Sequence, residues 1–341
     1  MTHFDTLIEH GSVIDGTGSP GFGGSVGIVG DQVRVLRGDT GAHTADRRID
    51  ASGRAVTPGF IDLHSHSGVM LFVEPRHEPK LRQGVTTEVI GVDGNSYAPF
   101  HSRDDLIAFA RLNAGLDGIA DLAWDWTSVA SYLERLDRAS SVNLAFMVGN
   151  SALRIDAVGF GDTPADATAI DRMRGTLRES MEEGAFGLSS GLDYPPGSFA
   201  STDELVALTD EASRLGGFYH THVRYPLGDR YLDPFREAIE IGTRGEGPVH
   251  ITHLYHRPIY PGPIEEHNGL VEDARAGGLE VTWDSYPYEW ASTRLVIQLP
   301  QWVQSGGPDA TLERIADPAV RSQIREEMHA LGRAYANENP Y

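Results

Sequence analysis

The sequence predicts an α/β protein in which a parallel (β/α) barrel follows a small N-terminal β-sandwich segment. At 341 residues the chain is long enough for one large barrel with an appendage. From Pro58 onward, apolar strand-like runs alternate with helical runs, a pattern typical of repeated β-α units. Before Pro58 the apolar runs are short and are separated by glycine-rich turns.

The first 57 residues are expected to form the β-sandwich segment. Apolar stretches at residues 6–8 and 25–29 alternate with glycine-rich turns at 15–18 and 21–24. Short strands at close spacing are typical of small β-structures. The alternative is a loose glycine-rich leader.

Residues 58–341 are expected to form a barrel of the TIM type, with helices such as residues 166–183 and 202–215 between the strands. Seven strands are predicted, near Gly59–His64, Val85–Gly91, Val142–Gly149, Ala185–Ser189, Gly217–His222, Pro248–His253 and Leu279–Asp284. No eighth strand is recognised before Tyr341. The barrel is therefore expected to be incomplete at its C-terminal end.

Two histidines mark the end of the first predicted barrel strand. Because successive strand residues point to opposite faces, His64 and His66 should project from the same face. The apolar character of residues 60–63 predicts a strand that is covered on both faces. Two imidazoles on one face can bind one metal ion.

Further histidines end later strands. His222 and His253 each follow a threonine at the end of an apolar run, and a barrel brings such strand ends together. His220, two residues before His222, should share its face and is the competing candidate. His250 is expected on the opposite face from His253 as a packed or hydrogen-bonded residue, and His256 in the following loop, where it could contact substrate. The chain has no cysteine, so a metal site is restricted to histidine, carboxylate and water.

Six motifs occur in a fixed order along the chain, at Pro58–His66, Gln83–Thr87, Gly187–Gly191 with Tyr194–Pro196, Thr221–Arg224, Ile251–His253 and Asp284–Tyr288. Together they resemble the N-acyl-D-amino-acid deacylases, or D-aminoacylases, of the amidohydrolase superfamily. The resemblance runs through almost the whole chain. It implies a hydrolase of non-peptide carbon–nitrogen bonds that cleaves N-acyl-D-amino acids or related amides with zinc-activated water.

The resemblance also implies a ligand set for one or two zinc ions, formed by His64, His66, His222 and His253. On the second barrel strand, where relatives often carry a cysteine, this chain has Asp93. A carboxylate is a good zinc ligand, so Asp93 is the expected bridging ligand. The alternative is that Asp93 caps the backbone amides of Gly94 and Asn95.

Four residues that follow strand ends in the family motifs are expected to contact the substrate: Tyr194, Arg224, Tyr286 and Tyr288. Arg224 is suited to pair with a substrate carboxylate. Tyr255 stands where the family has a lysine after the sixth-strand histidines. The family's general-base aspartate, on the eighth strand, has no match here, so the catalytic residue is unknown. Asp284 belongs to the seventh-strand motif instead.

Two other interpretations remain open. A cyclic-amide hydrolase of the dihydroorotase or hydantoinase kind would share the paired histidines but is expected to use a lysine on a later strand. Lys80 is the only lysine in the chain and precedes the second strand's apolar run. The third interpretation is a catalytically silent metal-binding barrel fragment of a truncated or split protein, whose partner supplies the eighth strand.

The composition limits the classes of molecule that this protein is expected to bind. The formal net charge of −21 argues against nucleic acid or an anionic membrane, because phosphate binding needs a basic face. No signal-like or membrane-spanning apolar run is recognised, so a cytoplasmic protein is expected. The expected partner is a small-molecule amide substrate, and the oligomeric state stays open.

Overall fold

A computed structural model describes residues 2–38, 40–137, 139–225, 232–255, 262–290 and 292–335, the last five as backbone only. The chain divides into two compact units, residues 1–60 and residues 61–341. His256 lies outside the described residues.

The first unit is a five-stranded sheet with the strands β1 (His3–Val13), β2 (Phe22–Val29), β3 (Gln32–Leu36), β4 (Thr44–Asp50) and β5 (Ala55–Val56). The strand order is β3-β2-β1-β4, and β5 also pairs with β1. Leu7 and Phe4 of β1 are buried. A Cβ atom at Gly27 would lie 2.4 Å from the Phe4 ring, so the glycine allows β2 to pass over this aromatic side chain. The predicted N-terminal β-segment is confirmed.

The second unit is built on a seven-stranded parallel sheet with the strands β6 (Phe60–Asp62), β7 (Val85–Ile90), β8 (Asn143–Gly149), β9 (Gly187–Gly191), β10 (Phe218–His222), β11 (Val249–Ile251) and β12 (Val281–Trp283). The strands follow one another in chain order across the sheet. Helices alternate with them, which confirms the predicted fold of repeated β-α units. Among the described residues, the strand count is the predicted seven.

The α-helices of the second unit are α1 (Glu78–Leu81), α2 (Arg103–Asp117), α3 (Val129–Leu136), α4 (Asn150–Val158), α5 (Ala167–Glu182), α6 (Thr202–Arg214), α7 (Asp233–Arg244), α8 (Ile264–Ala276), α9 (Gln301–Gln304), α10 (Gly307–Ala316) and α11 (Pro318–Tyr335). In the described part of the chain, no helix combines the length and the apolar character needed to cross a membrane.

Helix α6 shows how the sequence sets these elements. The Ser201 hydroxyl accepts a hydrogen bond from the Glu204 amide at 3.2 Å, which satisfies one of the free N–H groups at the helix start. Leu205, Leu208 and Ala212 recur at helical spacing and are fully buried. They belong to the same hydrophobic cluster as strand residues such as Leu188 of β9.

The strand that precedes the paired histidines departs from the prediction. Phe60 is 57% exposed, Ile61 60% and Leu63 43%, so the expectation of a strand covered on both faces is wrong for β6. The physical reason is its position, because in the described sheet β6 lies at the edge and pairs with β7 alone. An apolar run in the sequence does not reveal whether a strand is central or at an edge.

Gly91, directly after β7, should tolerate no side chain. Its φ is +76°, and a Cβ atom would lie 2.2 Å from the Met147 carbonyl oxygen. Gly91→Ala should lower the free energy of unfolding by at least about 2 kcal/mol, because it adds left-handed strain to a backbone clash. Denaturant unfolding measures the difference.

The matched control is Gly175→Ala inside α5, where a Cβ atom would meet nothing within 4 Å. This change should raise the free energy of unfolding by about 0.5–1 kcal/mol, because alanine costs less backbone entropy than glycine in a helix. Equal stability of the two variants would contradict the close approach at Gly91.

Candidate metal centre

Five of the predicted ligands meet where the parallel strands end. His64 and His66 follow β6, Asp93 follows β7, His222 is the last residue of β10, and His253 follows β11. Carboxyl ends of neighbouring parallel strands open on one side of a sheet, so residues far apart in sequence are brought together there.

Four imidazole nitrogens face a single oxygen, Oδ2 of Asp93. The distances are 3.3 Å to His64 Nε2, 3.5 Å to His66 Nε2, 3.7 Å to His253 Nε2 and 3.8 Å to His222 Nδ1. Asp93 is 1% exposed, and its Oδ1 has no hydrogen-bond partner among the described residues. This donor set of imidazoles around one carboxylate fits a zinc-type cation.

Asp93 does not play the capping role that was its alternative. The Gly94 amide donates to Ser189 Oγ at 3.1 Å, and the Asn95 amide donates to the Val92 carbonyl at 2.9 Å. Both amides therefore have other acceptors. Asp93 itself has a φ of +54°, a left-handed conformation that aspartate tolerates better than most residues, and this turn directs the chain after β7.

An oxygen atom lies near the other nitrogen of each imidazole. Asp117 Oδ1 lies 3.1 Å from His66 Nδ1, and Asp193 Oδ2 lies 3.0 Å from His222 Nε2. Thr252 Oγ1 lies 3.1 Å from His253 Nδ1, and Asp284 Oδ2 lies 3.5 Å from His64 Nδ1. Such partners fix the ring orientation and tautomer of a metal-binding histidine.

Sequence reasoning missed Asp117 and Asp193. Asp117 is the last residue of α2, where no strand-end pattern points to it. Asp193 lies two residues after β9 and between the two parts of the family motif, so its position was the available signal. Asp284 was assigned to the seventh-strand motif, but its contact with His64 could not be read from spacing.

The electrostatics of the cluster favour positive charge. Burial would lower the pKa of His64, but the charge of Asp93 and the carboxylate of Asp284 outweigh it and raise the pKa to about 10. Burial is likewise outweighed at His66, where Asp117 and Asp93 raise the pKa to about 9. At His253 burial dominates and lowers the pKa to about 4. Without a bound cation, protons on His64 and His66 neutralise the buried carboxylates.

The pKa of Asp93 is likewise set by two opposing effects, burial and the neighbouring histidines. Its burial opposes ionisation, but the charge of His64 and the hydrogen bonds of the surrounding histidines hold the pKa of this carboxyl well below its usual range. The carboxylate is therefore ionised, and it needs positive charge beside it.

His220 and His250 lie on the inner side of this cluster. The His220 ring stacks on His250, with centroids 4.8 Å apart, and its Nε2 lies 3.2 Å from the Leu63 carbonyl oxygen. His250 is hydrogen-bonded, as expected, with Nε2 3.1 Å from Asp284 Oδ2. Its expected separation from His253 is wrong, because His250 and His64 contact the same Asp284 oxygen and the His64 ring lies 4.6 Å from the His253 ring. Strand alternation fails here since β11 ends at Ile251 and His253 has a φ of +45°.

Three tyrosines predicted to contact substrate lie around the centre. The Tyr194 ring is 4.8 Å from the His222 ring, and the Tyr286 ring is 6.2 Å from the His253 ring. Tyr286 donates its hydroxyl hydrogen to Tyr255 at 3.0 Å and stacks on Tyr288, which is 64% exposed. Their role in substrate binding stays a prediction, but their positions are compatible with it.

The guanidinium of Arg224 makes hydrogen bonds within the protein. Its Nε donates to Glu237, its Nη1 to the Ser198 carbonyl at 2.6 Å and its Nη2 to the Ala200 carbonyl at 2.8 Å. The guanidinium therefore joins the loop after β9 to α7. This arrangement does not support the expected carboxylate clamp, because all three nitrogens already bond to the protein.

A buried network behind the paired histidines anchors their segment. Ser65 and Ser67 donate to the two oxygens of Glu88, at 3.0 and 2.8 Å. His77 Nε2 and Lys80 Nζ also contact Glu88, at 2.9 and 3.1 Å. Lys80 in turn pairs with Asp62, whose Oδ1 accepts from the His64 amide at 3.0 Å. Lys80 is thus bound in ion pairs with Asp62 and Glu88, neither of which is a predicted metal ligand.

Comparison with known proteins agrees with the fold and the site. The amidohydrolase family model matches residues 47–340. The D-aminoacylase of Alcaligenes xylosoxydans xylosoxydans is 36% identical over 296 residues, covering 86% of this chain and 59% of that protein. A solved D-aminoacylase has a TM-score of 0.74 at 36% identity, and the match covers 84% of this chain and 59% of that one. That protein has a binuclear metal centre, in which one metal activates and the second attenuates.

A solved N-acyl-D-glutamate deacylase of Bordetella bronchiseptica, in complex with zinc and a phosphonate mimic of the tetrahedral intermediate, has a TM-score of 0.73 at 30% identity. The match covers 84% of this chain and 59% of that protein. The chain belongs to the amidohydrolase family, which confirms the resemblance seen in the sequence. The chain spans about three fifths of the length of these relatives.

The buried carboxylate of Glu88 is expected to stabilise the folded chain. Glu88→Ala should lower the free energy of unfolding by about 3 kcal/mol, because it leaves two buried hydroxyls, His77 and Lys80 without their shared acceptor. Denaturant unfolding is the measurement. The control is Glu78→Ala, which removes a half-exposed ion pair with Arg82 and should change stability by no more than about 0.5 kcal/mol.

A loss at Glu88 no greater than the loss at Glu78 would show that the network does not anchor the His64–His66 segment.

Proposed function

We propose that this chain carries the metal centre of a zinc-dependent amidohydrolase that cleaves the amide bond of N-acyl-D-amino acids. The observation that supports the proposal most directly is the approach of four imidazole nitrogens to one buried carboxylate oxygen, at 3.3 to 3.8 Å. The relatives named D-aminoacylase and N-acyl-D-glutamate deacylase supply the reaction class. Water adds across the carbon–nitrogen bond and yields a carboxylic acid and a free amine.

His64, His66, Asp93, His222 and His253 would hold one zinc ion or two. Bound zinc acidifies a water molecule and polarises the amide carbonyl. The chain's own residues position these ligands. Asp117, Asp193 and Asp284 each face an imidazole nitrogen, so we assign them to ligand orientation and not to proton transfer from water.

Arg294 supports an acidic substrate. Its side chain is 2% exposed and lies over the Tyr194 ring, with Cζ 4.4 Å from the centroid. Nη1 donates to Asn113, whereas Nε and Nη2 have no hydrogen-bond partner among the described residues. A buried guanidinium with unused donors favours a carboxylate ligand. Since Tyr194 separates it from His222, the preferred substrate is an N-acyl-D-amino acid with a side-chain carboxylate, such as N-acyl-D-glutamate.

The cyclic-amide alternative is less well supported. That chemistry was expected to use a lysine on a later strand, and Lys80 is the only lysine in the chain. Lys80 pairs with Asp62 and Glu88 and faces the anchoring network. The deacylase proposal assigns no metal ligand or catalytic role to a lysine.

Asp93 should be essential for zinc retention. Asp93→Ala should weaken zinc binding tens-fold or more, because it removes the shared carboxylate. Asp93→Cys should retain zinc, because a thiolate is also a good ligand. Titration of chelator-treated protein with zinc against a chromophoric competitor measures both. Asp46→Ala, which removes an exposed carboxylate of the first unit, is the control and should bind like the parent.

Unchanged zinc affinity in Asp93→Ala, with the fold intact, would remove Asp93 from the ligand set.

Arg294 should set the preference among substrates. Because the family's general-base aspartate has no match in this chain, turnover should be slower by about 10²- to 10⁴-fold than in a complete site. The zinc-loaded protein should nevertheless release amine from N-acetyl-D-glutamate and not from its L-enantiomer. Arg294→Met should lower kcat/KM for N-acetyl-D-glutamate by about a hundredfold, the effect of losing a buried charge pair, with little change for N-acetyl-D-leucine. Parallel assays of released amine give the ratio.

Equal losses for both substrates would show that Arg294 supports structure and not specificity. Absence of turnover on every N-acyl-D-amino acid by zinc-loaded protein would overturn the proposed reaction.

A further inference from the structure

We propose that Tyr97 is a positioning residue for the metal centre, and that it acts through Asp117 on the ligand His66. The inference rests on the proposed function, because it takes His66 as a metal ligand. Tyr97 lies outside the motifs that carry the family resemblance, and the proposed reaction gives it no part.

A continuous line of contacts leads from Tyr97 to the centre. The Tyr97 hydroxyl donates a hydrogen bond to Asp117 Oδ2. The other carboxylate oxygen of Asp117, Oδ1, lies 3.1 Å from His66 Nδ1, and His66 Nε2 lies 3.5 Å from Asp93 Oδ2. Two side chains therefore connect the tyrosine hydroxyl with the carboxylate at which the histidines meet.

The two other carboxylates that face an imidazole are held in the same way. Asp193 and Asp284 each place Oδ2 beside a histidine nitrogen. Oδ1 of Asp193 accepts a hydrogen bond from the Tyr225 amide at 3.1 Å, and Oδ1 of Asp284 accepts one from the His253 amide at 2.8 Å. In both cases a backbone donor fixes the oxygen that does not face the imidazole. At Asp117 a tyrosine hydroxyl takes the place of that backbone donor.

Packing alone does not fix the carboxylate of Asp117. A small cavity lies beside it, lined also by His66, Asn95 and Tyr97. Asn95 is buried, but neither its side-chain oxygen nor its nitrogen has a hydrogen-bond partner among the described residues. The last torsion of an aspartate side chain has broad minima. Without the Tyr97 hydroxyl, the carboxylate can therefore rotate away from His66.

Tyr97 is itself held firmly enough to orient another side chain. It is 3% exposed, and its carbonyl oxygen accepts a hydrogen bond from Trp126 Nε1 at 2.7 Å. Its ring lies 6.0 Å from the Phe109 ring and 6.2 Å from the Trp124 ring, between centroids. Burial and the charge of Asp117 raise the pKa of Tyr97 well above its usual value, so the hydroxyl keeps the proton that it donates. Such fixed partners orient the ligands of a metal site.

The test measures zinc affinity, by titrating chelator-treated protein with zinc against a chromophoric competitor. Tyr97→Phe keeps the ring and removes only the hydroxyl. It should weaken zinc binding about tenfold, because His66 loses its fixed orientation. Circular dichroism confirms the fold of each variant.

The matched control is Tyr219→Phe. It removes a hydroxyl that is also buried but that bonds to the hydroxyls of Ser190 and Thr221 and not to a carboxylate. A hydroxyl with a purely structural role should affect stability and leave the zinc affinity of the folded protein unchanged. Tyr219→Phe should therefore bind zinc like the parent chain.

A double variant tests the route through Asp117. Asp117→Asn keeps the side-chain shape, removes the charge and should by itself weaken zinc binding about tenfold. Adding Tyr97→Phe to it should cause no further loss, because the hydroxyl acts only through the carboxylate. Independent effects would instead multiply to a loss of about a hundredfold.

Each outcome bears on the proposal. Tenfold losses that do not multiply support it. Unchanged zinc affinity in Tyr97→Phe or in Asp117→Asn overturns it and leaves the proposed function standing. A loss in Tyr219→Phe equal to that in Tyr97→Phe, or a hundredfold loss in the double variant, overturns it as well. A parent chain that binds no zinc overturns the proposed function, and the positioning role with it.

Discussion

The ionised carboxylate of Asp93, buried at the ends of the strands, is the constraint on which the rest of the barrel unit depends. A charged group out of contact with water is costly unless opposite charge and hydrogen bonds surround it. Here the surroundings are four imidazoles from three different strand ends, within 3.8 Å of one oxygen. The carboxylates of Asp93, Asp284 and Asp117 raise the pKa values of His64 and His66 against the effect of burial, so the cluster favours positive charge.

The scaffold is arranged to keep this cluster together. Two of its members, Asp93 and His253, have left-handed backbone conformations, which the close strand packing at Gly91 and the Asp284 contact support. Strain of this kind persists only where surrounding structure determines it, and it is concentrated at functional sites. The network around Glu88 has the same effect on the segment of His64 and His66, although it contributes no atom to the centre.

Carboxylates that do not touch Asp93 give three of the four histidines a defined direction. Asp117, Asp193 and Asp284 come from α2, from the loop after β9 and from the residue after β12, and each approaches one ring nitrogen. The other nitrogen of each of these imidazole rings then faces Asp93. The net charge of −21 is thus partly concentrated where it raises the affinity of the site for cations. Arg294 brings the contrasting positive charge to the neighbourhood of Tyr194.

The sequence alone was sufficient for the α/β class, the seven strands, the family, and Asp93 with the four histidines that surround it. These follow from local patterns, since apolar runs, histidine spacing and family motifs are all written in neighbouring residues. Only the tertiary structure decided the exposure of β6, the engagement of Arg224, the inward placement of His250 and the partners Asp117 and Asp193. Each of these depends on contacts between residues 13 to 51 positions apart, or on where a strand ends and the backbone turns. Periodicity within one strand carries no information about either.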